Sequence, residues 1–211
     1  MKPIVLIGAA GQASVVAEAL EQDGRFRVLG LVSHDPPDRS WSYPVLGRDE
    51  DLPSLWQHLG PFQCHIAVGE GAIRRRIAER IRTMMQGIAY PPLVHPMARI
   101  AHRVEVGEGA FIAIGATVCV NARIGRHALV NTNASVDHDC VIGDYSSIAP
   151  NVALGGNVRV GPSAFLGIGA AVLPSLLIGE GAVVGAGAVV VRDVPAGVTV
   201  VGIPARIREG V

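Results

Sequence analysis

Between Val106 and Val190 every sixth residue is a branched aliphatic, and no other feature of the chain restricts its folding as tightly. The column runs Val106, Ile112, Val118, Ile124, Val130, Val136, Ile142, Ile148, Leu154, Val160, Leu166, Val172, Ile178, Val184 and Val190, with Ile100 one step before it. Two positions ahead the residue is usually small, as at Ala110, Ala116, Ala122, Ala128, Ala134, Cys140, Ser146, Ala164, Ala170, Ala182 and Ala188. Glycine often follows, as at Gly107, Gly125, Gly143, Gly155, Gly161, Gly167, Gly179 and Gly185. A period of six matches neither the 3.6-residue turn of a helix nor the two-residue alternation of a strand, and is the mark of a parallel β-helix. Each aliphatic is expected to point into a narrow prism, with the small residue letting the chain turn beside it and glycine supplying backbone freedom at the corner. Composition agrees, because a chain of 211 residues with 26 glycines and only 4% aromatics lacks the bulk for an ordinary core.

The N-terminal part reads differently. Pro3 to Ile7 predicts a buried strand, Gly8 to Gly11 a tight turn, and Gln12 to Glu21 a helix with Val15, Val16, Ala19 and Leu20 on one face. Strands follow at Phe26 to Val32, Pro44 to Leu46 and Cys64 to Val68, and helices at Glu50 to His58 and Ala72 to Met85, the last with Ile73, Ile77, Ala78 and Ile81 inward. Alternating strands and helices imply a small Rossmann-like parallel sheet. Tyr90 to Pro96 cannot continue a helix and is expected to serve as the linker. The expected organisation is an α/β domain over 1–90 and an all-β parallel β-helix over 91–211, ending in a short tail.

Charge excludes several partners. Lys plus Arg equals Asp plus Glu, and Arg74, Arg75 and Arg76 form the one block of like charge, so no nucleic-acid footprint is present. No apolar run reaches membrane-spanning length without Gly, Pro or charge, and Met1 to Ala10 has no signal-peptide pattern. Cys64, Cys119 and Cys140 are odd in number and lack ligand spacing, as expected of a reduced, cytoplasmic protein.

Two places carry chemistry. Gly8-Ala-Ala-Gly11 lies between a strand and a helix N-terminus, where backbone N–H groups can meet a phosphate or serve simply as a structural turn. Ser33, His34 and Asp35 and, separately, Gly69 are predicted at the carboxyl end of the same sheet, the usual ligand crevice of an open α/β fold. The second place is Asn131 to Cys140, a dense polar run whose inward Val130 and Val136 leave the intervening side chains free to project. There His138 stands between Asp137 and Asp139, which stabilise its imidazolium and hold its base strength near neutral pH. Cys140 occupies a small-residue slot and reads as packing, not as a nucleophile. His102 and His138 lie two coils apart in phase, but two histidines do not make a catalytic zinc site, so no metal is expected. His58, His65, His95 and His127 read as structural or solvated.

Taken together, Gly8-Ala-Ala-Gly11, Ile66-Ala-Val-Gly69 with Ile73-Arg-Arg-Arg-Ile77, His95-Pro96, Asn131-Thr132, Asp137 to Gly143, Phe165-Leu-Gly-Ile168, Val172-Leu-Pro174 and Val201-Gly-Ile-Pro-Ala-Arg206 resemble one family along almost the whole chain. It is that of the bacterial nucleotide-sugar N-acetyltransferases, of the UDP-4-amino-sugar type, in the hexapeptide-repeat, left-handed β-helix superfamily. The resemblance implies three hexads per triangular coil, about five coils over residues 100–190, and a homotrimer. It implies acetyl-CoA as co-substrate, with no metal, and a nucleotide-linked amino sugar, expected to be a 4-amino-4,6-dideoxy sugar, as acceptor in glycan or polysaccharide synthesis. His138 would be the general base, with Asp139 raising its basicity. The sugar nucleotide would touch Ala10, Gly11, Gln12, Ser33, His34 and Gly69, and acetyl-CoA would lie along two neighbouring subunits near Ser147, Gly156, Ile168 and Ala186. Gln12 stands where a His is common, and Ser33-His34 replace a common acidic pair.

The chemistry needs a base because an amine attacking a thioester must lose a proton, and a positioned His contributes about 10² to 10⁴-fold. A backbone N–H of the Gly155-Gly156 turn is the expected oxyanion donor. The same scaffold could acetylate a hydroxyl, for instance on a sialic acid, or serve as a non-catalytic binding or assembly module.

Overall fold

The computed structural model describes residues 1–35 and 40–208 and opens with β1 (Lys2–Ile7), whose apolar run is buried from Ile4 onward. It is followed by α1 (Gly11–Asp23), β2 (Phe26–Val32), β3 (Val45–Gly47), α2 (Leu52–Leu59), β4 (Gln63–Ile66) and α3 (Gly71–Met84). The four strands form one parallel sheet in the order β3-β2-β1-β4. α1 ends where Gly24 takes a left-handed φ of 68° and donates its N–H to Leu20 O. The helix expected from Glu50 starts later. Asp49–Asp51 form a short 3₁₀ turn, and the α-helix proper begins around Pro53, whose missing N–H costs nothing in a first turn.

The rest of the chain is a stack of mostly two-residue strands arranged as three parallel sheets, the three faces of a left-handed prism. Each strand pairs with the one eighteen residues on, as Phe111, Leu129, Ser147, Phe165 and Val183 do in turn. Three hexads therefore close one coil. The aliphatic column and the small residues ahead of it form one continuous buried core. Burying each aliphatic contributes about 1.5–3 kcal/mol.

The corners are built differently from expectation. One residue per hexad, three after the aliphatic, sits at positive φ: Arg103, Asn121, His127, Asn133, Asp139, Tyr145, Asn151, Asn157, Ser163 and Ser175 do so alongside Gly109, Gly115, Gly169, Gly181 and Gly187. The following small residue closes the turn, as when Ala116 N–H donates to Ala113 O at 3.2 Å. The glycines directly after the aliphatics do not supply this freedom. A Cβ on Gly143 would fall 2.5 Å from Pro162 N of the next coil, so what those positions require is the absence of a side chain.

The first rung lies in the segment expected to be the linker, where Leu93–Val94 pair with Phe111–Ile112. At the far end Thr199–Val201 extend the same face and Arg206–Ile207 fold back antiparallel. That face is where the α/β domain docks, for Leu93, Phe111 and Leu129 share a core with Ile4, Leu6, Ala13, Val16, Ala17 and Leu20. From the docking face the chain turns one edge into a second face, turns the edge carrying His138 into a third, and returns past Tyr145 along the docking edge.

Candidate functional site

A crevice of about 890 Å³ opens at the carboxyl ends of β1, β2 and β4. Ala10, Gln12, Ser33, His34 and Gly69 line it as expected from their places in the loops, whereas Gly11 begins α1 and is not part of the lining. Gly8 bends the chain at φ 116°, and a Cβ there would lie 2.9 Å from Ala67 O. α1 has neither an acidic residue in its first turn nor a side-chain cap, which leaves its N-terminal amides suited to an anion, whereas Glu70 stands at the N-terminus of α3.

Ile73, Arg76, Ile77 and Arg80 form a further wall. The two isoleucines, expected to point into the core, are half-buried along the crevice; their spacing with the arginines is one helix face, a pattern the sequence offers. Asp49 is buried at the floor, bonded to Arg80, with His34 Nε2 2.8 Å from its Oδ1 and 3.1 Å from Glu50 Oε1. The ligand atoms of His34, Asp49 and Glu50 lie within 4.8 Å of one another. Arg80 already supplies the positive partner there, so the group reads as a charge network across the crevice.

His138 stands half-exposed on its edge, with Nδ1 2.8 Å from Asp139 Oδ2. Its backbone N–H donates to Asp137 Oδ1 at 2.7 Å, and Asn121 Nδ2 donates to Asp139 Oδ1 at 2.9 Å. The hydrogen bond to Asp139, and after it the charge of Asp137, raises the imidazole above the usual histidine range, while the same bond and that from Asn121 lower Asp139 below the usual carboxylate range. With Nδ1–H committed to Asp139, Nε2 is the nitrogen left to accept a proton. Gly156 lies one coil above, and a Cβ on it would sit 2.5 Å from His138 Nε2. The space beside the free nitrogen thus exists because this residue is glycine. Cys140 is buried, its thiol donates to Gly155 O at 3.2 Å, and burial pushes it up to about 11, which suits packing and not attack.

The four residues expected at the cofactor are not gathered by one chain. Gly156 belongs to the histidine edge, whereas Ile168 and Ala186 are exposed on the edge between the docking and second faces. Ser147 is placed apart from them: its side chain is buried between the domains, accepting from Arg74 Nη2 at 3.0 Å and donating to Gly69 O at 3.2 Å.

Arg74 is itself the largest departure from the reading. Read only as one member of a block of like charge, it is buried and donates to His127 O, Val68 O, Gly69 O, Tyr145 O and Ser146 O at 2.7–3.0 Å, besides Ser147. Burial lowers its guanidinium to about 10. It bolts the crevice loop at Gly69 to the docking edge. His65 and His127 are buried beside it and His95 is buried nearer α1, with Nε2 3.2 Å from Glu18 Oε2, while exposed His58 has Nδ1 2.7 Å from Ser54 O.

Comparison with known proteins follows the same division. The PglD N-terminal domain matches residues 3–81, and the bacterial transferase hexapeptide (six repeats) matches residues 121–156. Among solved structures, PerB from Caulobacter crescentus, in complex with CoA and GDP-perosamine, is 38% identical over 99% of this chain and 98% of its own, with a TM-score of 0.92. A mutant of the perosamine N-acetyltransferase of that organism, with asparagine in place of one histidine and the same ligands, is 37% identical over 100% and 98%, with a TM-score of 0.93. The acetyltransferase domain of PglB from Neisseria gonorrhoeae, in complex with acetyl coenzyme A, is 35% identical over 98% and 99%, with a TM-score of 0.87. A comparison with curated protein sequences gave no match.

Proposed function

Because this chain belongs to the PglD-type nucleotide-sugar N-acetyltransferases of the left-handed β-helix superfamily, and as such transfers acetyl from acetyl-CoA to an amino sugar, we propose that its acceptor is a nucleotide-linked 4-amino-4,6-dideoxy sugar and its base His138. The observation that carries this reading is the paired His138 Nδ1 and Asp139 Oδ2 at 2.8 Å, which leaves Nε2 open beside Gly156. The crevice would hold the nucleotide, with the N-terminus of α1 and Arg76 facing the diphosphate. A GDP-linked sugar is favoured, since the perosamine relatives named above, at 37% and 38% identity, are those solved with a nucleotide sugar, GDP-perosamine.

In the reaction the neutral amine attacks the thioester carbonyl. The new C–N bond forms as the N–H proton passes to Nε2, and Asp139 stabilises the imidazolium. The tetrahedral oxyanion takes an N–H of the Gly155-Gly156 turn. Its collapse breaks the C–S bond, and the departing thiolate takes the proton back from His138. No acyl-enzyme is needed.

The places of these parts support a trimeric assembly. The crevice adjoins the docking edge through Arg74, His138 stands on the previous edge, and Ile168 and Ala186 on the third. A homotrimer in which one subunit's crevice faces its neighbour's histidine unites them, with acetyl-CoA along the seam. Free Cys64, Cys119 and Cys140 suit a cytoplasmic role in glycan or polysaccharide synthesis, and no helix among the described residues is long and apolar enough to cross a membrane. The test is a panel of GDP-, UDP- and dTDP-linked amino sugars and a sialic acid with acetyl-CoA, following free thiol and product mass. An N-acetylated nucleotide sugar is expected, and His138→Ala should lower kcat by about 10² or more. Acetylation confined to hydroxyls, or a His138→Ala protein with normal turnover, would overturn the assignment.

A further inference from the structure

We infer that Asn121 is a positioning residue for acetyl transfer, its side-chain amide holding the Asp139 carboxylate in the orientation that serves His138. The inference rests on the acetyl-transfer reading above. Asp139 has two oxygens and each is taken: Oδ2 by His138 Nδ1 at 2.8 Å, Oδ1 by Asn121 Nδ2 at 2.9 Å. Asp139 is 44% exposed, so packing does not fix its terminal torsion, which is soft for a carboxylate. A second donor is what restrains it.

The coil explains how that donor comes to be there. Asn121 and Asp139 stand eighteen residues apart, on the same slot of consecutive coils, both left-handed with φ of 61° and 58°. Adjacent rungs lie about 4.7–4.9 Å apart, which suits an amide reaching a carboxylate directly above it. A backbone bond holds the two turns in line, with Asp139 N–H donating to Val120 O at 3.0 Å, and Asn157 N–H repeats it to His138 O at 2.9 Å one coil further on. Asparagine also tolerates positive φ, and Asn133, Asn151 and Asn157 fill equivalent slots elsewhere. Backbone preference alone would therefore account for an asparagine, and the experiment has to separate that role from the amide's.

Glycine does so, since it keeps the left-handed corner without strain and removes only the side chain. Asn121→Gly is compared with Asn157→Gly, the same substitution two coils above, in the full-length protein. Both should lose the same small stability in thermal melts. Asn121→Gly alone should lower kcat by roughly tenfold, in the range for losing a partner that orients a histidine–carboxylate pair. Its KM for each substrate should stay within about twofold. Its ascending pH limb should move to lower pH, because a loosened Asp139 supports the imidazolium less. A kcat within about twofold of wild type, an equal loss in Asn157→Gly, or an unmoved limb would each overturn the inference. Wild-type protein that acetylates no amino sugar would instead sink the reading on which it rests.

Discussion

At the level of single residues, the site depends on how one imidazole is wired. His138 is half-exposed, so its base strength comes from its hydrogen-bonded neighbours and not from burial. Replacing Asp139 by Asn removes the first of the causes that raise it. The ascending limb of kcat against pH should then move to lower pH and the plateau should fall, as a pH series with saturating substrates would report. A profile that overlays wild type would clear Asp139 of this role. His138 and its carboxylates stand next to one another in the sequence and can be found there. Asn121 cannot, because its distance from Asp139 has meaning only once eighteen residues are known to make a coil. The contacts of Ser147 are hidden as well. Family likeness put it at the cofactor, while its partners, Arg74 and Gly69, come from a segment more than seventy residues away.

For the elements, the hexad is legible because its inward residues obey one chemical rule over fifteen successive steps from Val106 to Val190. The corner slot is not, since Arg, Asn, His, Asp, Tyr, Ser and Gly all occupy it and nothing in their composition marks a left-handed backbone. The glycines following the aliphatics are visible, yet their cause becomes clear only from the next coil. Gly143→Ala should therefore destabilise the prism by about 1–3 kcal/mol, the usual cost of overpacking. Denaturant titration beside Gly169→Ala, where φ is 69° and no neighbour lies within 4 Å, would separate crowding from torsional strain. Equal losses at the two sites would refute the close-approach account. The α/β domain shows a related ambiguity, because the face of α3 bearing Ile73 and Ile77 has the same pattern whether it meets a core or a crevice.

Across the whole molecule, the two domains meet over buried basic groups. Burial lowers His65 to about 3 and His127 to about 4, and each also feels the charge of Arg74. Both are neutral in the folded state, whereas an unfolded chain takes up protons near pH 6.5. Stability is then fully present above about pH 6.5 and is lost as pH falls toward 4 and 3. Urea midpoints measured from pH 7 to 4 should fall steeply, and His65→Phe should flatten the fall; an unchanged slope would remove His65 as its source. Arg74 shows why this junction escaped the sequence reading, since a triplet of arginines looks like solvated charge until the fold hides the first of them. The separation of the crevice from the histidine edge has a last consequence. In the trimer proposed above, one copy would carry two jaws that close only on those of its neighbours, so dilution that parts the copies is expected to extinguish turnover while each fold survives.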